Sequence, residues 1–200
     1  RSAMMTDVTE AGNNAAPLGF YGPRGIAIDS AGRVYVADTG NKRIVVTDSD
    51  GKFLYQWGHG GNEPGAFNEP IGVAVDTQGD VYVADTWNGR VQVFGRGESD
   101  TVSATPKTSW RVPGWQPSTY DDPFIAVSAE GQVFVSVPGR NQLLYTTTTG
   151  EALLRWGGKG NDFASLTLPS GVAVAPDGTV VTVDRGNNRI MRFKLPASGQ

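Results

Sequence analysis

The 200-residue chain has no cysteine and one histidine, His59. The first absence excludes disulfides, thiolate metal sites and cysteine nucleophiles. The second excludes a multi-histidine metal cage and leaves one candidate for imidazole base chemistry. Positive charge is not in excess: 17 Lys and Arg stand against 20 Asp and Glu, a net charge of −3. A nucleic-acid clamp needs clustered basic residues, so nucleic acid is not an expected partner. No apolar run approaches the roughly 18 residues of a membrane-crossing helix, and no signal-type stretch opens the chain. A membrane is expected to matter only through a part of the protein outside this chain. The first residue is Arg1 rather than Met, which reads as a processed or excised piece.

Turn formers and repetition are abundant instead. Gly 27 and Pro 12 accompany many Val, Ile and Thr residues, a mixture that points to short strands and frequent turns. No segment sustains a 3.6-residue period, so no helix longer than about two turns is expected. Four units recur: PRGIAIDSAGRVYVADTGNKRIVV from Pro23, PIGVAVDTQGDVYVADTWNGRVQV from Pro70, PFIAVSAEGQVFVSVPGRNQLLY from Pro123, and PSGVAVAPDGTVVTVDRGNNRIMRF from Pro169. Aligned on Gly25, Gly72, Ile125 and Gly171, they lie 47, 53 and 46 residues apart. Each unit reads as three strands with hairpin turns at DSAG, DTQG, SAEG and APDG, then a fourth strand ending in an aromatic: Trp57, Trp115 and Trp156. Large apolar residues at consecutive positions, as at Ile44, Val45 and Val46, imply sheets covered on both faces.

The units resemble NHL repeats, whose signature is Pro-x-Gly with an apolar strand ending in Asp, a Gly turn, Tyr-φ-Ala-Asp, then Asn-x-Arg. The resemblance spans about residues 11–194, with the third unit keeping the frame and losing the polar positions. It implies an all-β propeller of four-stranded blades, occupying residues 1–200 as one domain. The blade units are expected at 23–67, 70–115, 123–166 and 169–194. The last unit stops at Phe193 without its fourth strand. A strand at 3–10, with Met5–Glu10 at the matching distance before Gly25, is expected to complete that blade and close a four-bladed ring. The other reading is a fragment of a larger, six-bladed propeller.

Asp38, Asp85 and Asp184 end second strands, and Arg43, Arg90 and Arg189 follow five positions later. A ring of carboxylates holding a metal or substrate is one reading. The other, a structural Asp–Arg pair, is favoured because the third unit replaces both partners together, with Val137 and Gln142. His59 has Glu63 as its one plausible partner and reads as an exposed loop residue. Asp29 and Asp76 read as turn-forming side chains that bond backbone amides. No metal or cofactor is expected. The stretches GHGG and GGKG lack the context of a phosphate loop.

Function is expected from the loops. Blade-to-blade loops and second-to-third-strand loops emerge together and are the least repetitive parts of the chain. Arg24, Trp87, Phe124, Arg140 and Arg185 are the candidate ligand-binding residues, and Trp87 stands where other units carry Gly40, Gly139 and Gly186. The expected role is a non-catalytic module for a protein, peptide or glycan partner. The resemblance implies a larger bacterial host, with the module on the extracytoplasmic side of its membrane. The alternative is a metal-dependent propeller enzyme, of lyase or lactone hydrolase type, with its site in the central channel.

Overall fold

The computed structural model describes residues 19–95, 105–118 and 121–194. Blade 1 comprises β1 (Gly25–Ile28), β2 (Val34–Asp38), β3 (Arg43–Thr47) and β4 (Phe53–Trp57). Blade 2 comprises β5 (Pro70–Val75), β6 (Val81–Asp85), β7 (Arg90–Phe94) and β8 (Thr108–Arg111). Blade 3 comprises β9 (Ile125–Val127), β10 (Val133–Val137), β11 (Gln142–Thr146) and β12 (Ala152–Gly157). Blade 4 comprises β13 (Pro169–Val174), β14 (Thr179–Asp184) and β15 (Arg189–Lys194). Each sheet is antiparallel with its strands in chain order. The whole is an all-β propeller of four blades. Residues 3–10, expected to supply the fourth strand of blade 4, lie outside the described residues, and among the described residues that blade has three strands.

Turn chemistry sets the hairpins. The Asp29 carboxylate accepts the Ala31 and Arg33 amides, both at 2.9 Å. Asp76 accepts those of Gln78 and Asp80 at the same distance. Gly32, Gly79, Gly131 and Gly178 end these turns at φ of 80°, 83°, 78° and 75°, a region that glycine enters without a Cβ penalty. A second layer of pairing comes with the aspartates. The hydroxyls of Tyr35 and Tyr82 donate to Asp29 and Asp76. In blade 3 both partners change, to Ser128 and Phe134. Ser128 keeps the two amide bonds, and the phenyl ring needs no acceptor.

Two alignments shift once the strands are paired. Ile26 lies opposite Val36 and Ile125 opposite Val135, so Phe124 rather than Ile125 holds the Gly25 and Gly72 position. The third unit is one residue shorter before its turn, and reading from its proline hid the deletion. Likewise Trp57, Trp110 and Trp156 face Ile44, Val91 and Leu143 on the third strands. Trp110, not Trp115, is therefore the fourth-strand aromatic of blade 2. Trp115 comes after that strand, and its indole donates to the Ser136 carbonyl at 2.8 Å across the gap to blade 3.

Alternation along each strand gives every blade a forward face toward the next blade and a backward face toward the one before. Three apolar clusters fill the three successive interfaces. Between blades 1 and 2, Tyr35, Ile44 and Trp57 meet Val73, Val83 and Phe94. Between blades 2 and 3, Tyr82, Val91 and Trp115 meet Ile125, Val135 and Leu144. Between blades 3 and 4, Leu143 and Trp156 meet Leu166, Met191 and Phe193. The tryptophan of one blade stands edge-on to a phenylalanine of the next, Trp57 on Phe94 at 5.6 Å and Trp156 on Phe193 at 5.4 Å. Among the described residues no fourth cluster joins blade 4 back to blade 1.

Candidate interaction face

The face carrying the variable loops is organised by three buried carboxylates. Asp38 accepts the Tyr21 amide at 2.7 Å, the Asn41 side-chain amide at 2.8 Å and Arg43 Nε at 2.7 Å. Asp85 accepts the Asn68 amide, Asn88 and Arg90 Nε in the same way, and the buried Gln92 amide as well. Asp184 accepts the Thr167 amide, Asn187 and Arg189 Nε. The guanidinium groups then reach loop carbonyls: Arg43 to Gly19, Arg90 to Glu63 and Ala66, Arg189 to Asn161, Asp162 and Ser165. Each Asp–Arg pair thus clamps the loop that leads into its own blade. In blade 3, where Val137 and Gln142 replace the pair, Ser136 Oγ accepts the Phe124 amide at 2.8 Å.

Environment tunes the hubs differently. Burial pushes the Asp85 carboxyl up and outweighs the Asn68, Asn88 and Arg90 donors. Burial acts the same way on Asp184, but the Thr167 amide, Asn187 and Arg189 outweigh it, and the net shift is downward. Among the described residues, blade 2 is covered on both faces and blade 4 on one.

Above the hubs the two loop sets are stitched together. The Gly40, Trp87 and Gly186 amides donate to the Tyr21, Asn68 and Thr167 carbonyls. In blades 1 and 4 the incoming loop passes so close that a Cβ at Gly40 or Gly186 would lie 2.2 or 2.4 Å from its atoms. Blade 2 makes the same bond with Trp87, whose ring turns away from the hub. Its indole donates to the Ser118 carbonyl at 3.3 Å, and Lys42 Nζ stands 5.8 Å from the ring centroid while pairing with Glu69. Trp87 is therefore half-buried.

The other candidates are distributed around this face. Arg24 and Arg185 converge on one carboxylate, Asp122: Arg24 is hydrogen-bonded to it, and an Arg185 nitrogen lies 3.8 Å away. Phe124 is half-buried two residues further on, and Arg140 is exposed in the short turn Pro138–Arg140, beside Gly114. Sequence reasoning missed Asp122, although its signal was present in the acidic pair closing QPSTYDD. It missed the backbone amides that share the hub aspartates for a plainer reason: a backbone donor leaves no residue signature.

His59 Nε2 lies 2.8 Å from Glu63 Oε1, and both side chains are exposed. The Glu63 carboxyl is held below its ordinary range first by its own backbone amide and then by His59. Among the described residues, no three His, Cys, Asp or Glu side chains converge as a metal site would require. No helix is long and apolar enough to cross a membrane among those residues.

The NHL repeat profile matches residues 20–51, 67–94 and 166–193, which lie on blades 1, 2 and 4. NHL repeat-containing protein 3 of Homo sapiens is 48% identical over 54 residues, 26% of this chain and 16% of the human protein. The Mus musculus protein is 46% identical over 46 residues, 22% of this chain and 13% of its own length. The match therefore spans a small part of those relatives. Among solved structures, a catalytically inactive virginiamycin B lyase from Staphylococcus aureus, crystallised with quinupristin, superposes with a TM-score of 0.61 at 16% identity. That match covers 91% of this chain and 58% of the lyase. A chain of a nidogen/laminin complex gives 0.62 at 17% identity, covering 86% of this chain and 60% of that one. At these identities the likeness is one of fold. Three profile matches, each in register on its own blade of the propeller, show that blades 1, 2 and 4 of this chain carry NHL repeats.

Proposed function

We propose that the chain is a non-catalytic binding module whose loop face, carrying Arg24, Trp87, Phe124, Arg140 and Arg185, receives a protein or peptide. The observation that carries this reading is how the carboxylates are used. Asp38, Asp85 and Asp184 are buried and spend their oxygens on amides and guanidinium groups, so they are clamps rather than a free acid–base set. What remains variable above them is a half-buried tryptophan with arginines at the loop tips, the composition enriched at binding hot spots. Propellers of this family commonly bind proteins.

The test is to make Trp87→Ala and Arg140→Ala, confirm unchanged melting, and compare pull-downs with the parent. Each variant should lose about thirtyfold in affinity, the loss of one anchor of ~2 kcal/mol. Retained binding in both would move the site to the opposite face or the blade edges. A glycan array run beside it covers the second ligand class. The rival reading, a metal-dependent enzyme, is favoured by the fold likeness to the lyase. A stoichiometric metal in purified protein that raises the melting temperature would support it over the binding role. We place the module outside the cytoplasm in a larger bacterial protein; a membrane-spanning segment encoded in the same full-length reading frame is the expected finding, and a frame without one counts against it.

A further inference from the structure

Among the described residues, the two end blades leave uncovered the faces that every inner interface buries. On blade 4, Ile190 is 71% exposed and Val183 42%, whereas Ile44, Val91 and Leu143, the counterparts of Ile190 by strand register, are fully buried against a following blade. On blade 1, Ile26 is 67% exposed and Ile28 65%, while Val73 and Ile125, the counterparts of Ile26, are 5% exposed against a preceding blade. An open groove of about 360 Å³ lies along Val183 and Ile190, and one of about 370 Å³ along Phe20, Ile26, Val34 and Val36.

We infer that these two faces are the halves of one head-to-tail interface and that a second copy of this chain fills them. Blade 4 of one copy would pack on blade 1 of the other. The argument is continuity: the chain makes this interface three times internally, always forward face onto backward face, and among the described residues one half is unused at each end. The backward face keeps the inner pattern, with Ile26 where Val73, Ile125 and Val172 stand, while on the forward face Val181 takes the place of Tyr35, Tyr82 and Phe134. Phe20 holds the place of Phe67 and Leu166, which are completely buried between blades, but is itself only half-buried.

Glycine placement points the same way. A Cβ on Gly25 would strike the Ile71 carbonyl of blade 2 at 2.1 Å, and one on Gly72 would crowd the Ile125 amide of blade 3 at 3.0 Å. Gly171 repeats the position, yet the one contact a Cβ there would find is Val183 of its own blade, at 3.4 Å. The glycine leaves room for an inner strand that the next blade must bring. A contact between two different patches of the same chain is heterologous, and reciprocal pairing closes it.

Sedimentation equilibrium tests this without knowledge of any ligand and independently of the loop-face reading. The parent should form a concentration-dependent dimer. Ile26→Asp and Ile190→Asp alter positions already exposed in one copy, so each should keep the parent circular dichroism while associating at least roughly tenfold more weakly. An equimolar mixture of the two should pair more tightly than either variant alone though less tightly than the parent, because one of its two contacts joins an intact forward face to an intact backward face while the other carries both aspartates. Ile26→Val and Ile190→Val, which copy the residues of inner blades, should pair like the parent. A monomeric parent at every concentration overturns the inference, as do undiminished pairing in both Asp variants or no recovery on mixing.

Discussion

At the scale of single residues, the same aspartate in the same repeat position is shifted in opposite directions in blades 2 and 4. The shift of Asp184 is downward, so its contribution to stability is complete above the ordinary carboxylate range and is lost as pH falls through its folded pKa. The shift of Asp85 is upward, so protonation favours the folded state, and that contribution is lost as pH rises through its folded pKa. Melting temperatures followed from about pH 6 to about pH 3, across the carboxylate range, should separate the two. Asp184→Asn should flatten the acid-side decline, and Asp85→Asn should steepen it. Parallel curves for the two variants would mean that their surroundings do not matter. The Asp–Arg spacing was legible in the sequence because both partners are side chains that disappear together at Val137 and Gln142. The opposite shifts of the hubs were not, because they depend on the balance between burial and the surrounding donors in the folded chain.

At the scale of the hairpin, the turn residue governs two backbone amides and, in blades 1 and 2, a tyrosine hydroxyl. Asp76→Ala removes all three bonds, and a loss of about 1–3 kcal/mol in urea-induced unfolding is expected from the amides left unpaired. Asp76→Ser should cost less, since Ser128 shows that a hydroxyl accepts both amides in the same turn. Equal losses would show that the amide bonds contribute little. Most of each strand could be read directly from its β-branched runs and Gly turns. The errors fell where the repeat changes length. One residue lost before the third turn moved Phe124 into the glycine position, and an extra tryptophan after β8 drew the fourth-strand assignment from Trp110 to Trp115. Only the hydrogen-bond register distinguishes those alternatives.

At the scale of the whole molecule, coverage is uneven although the repeat is regular. Among the described residues, blade 2 packs on both faces and blade 4 on one. Amide hydrogen exchange should therefore be slowest in β6 and β7 and faster by a wide margin in β14 and β15, because local opening of an end blade breaks one interface rather than two. Uniform protection across the four blades would contradict that ranking. The uncovered faces could not be anticipated from composition, since Ile26 and Ile190 obey the same alternation as their buried counterparts.

Each hub aspartate fastens the loop that enters its own blade, from Tyr21, Asn68 or Thr167, and not the loop that leaves it. The fastened length of chain is thus an entry loop with the strands that follow, and the fourth strand pairs with the third and carries its tryptophan to the next blade. A gene that copied or lost one such length would gain or lose a complete fastening and leave every other one intact. Propellers of this kind can in this way change blade number by whole units, whereas a cut inside a hairpin would strand a buried charge.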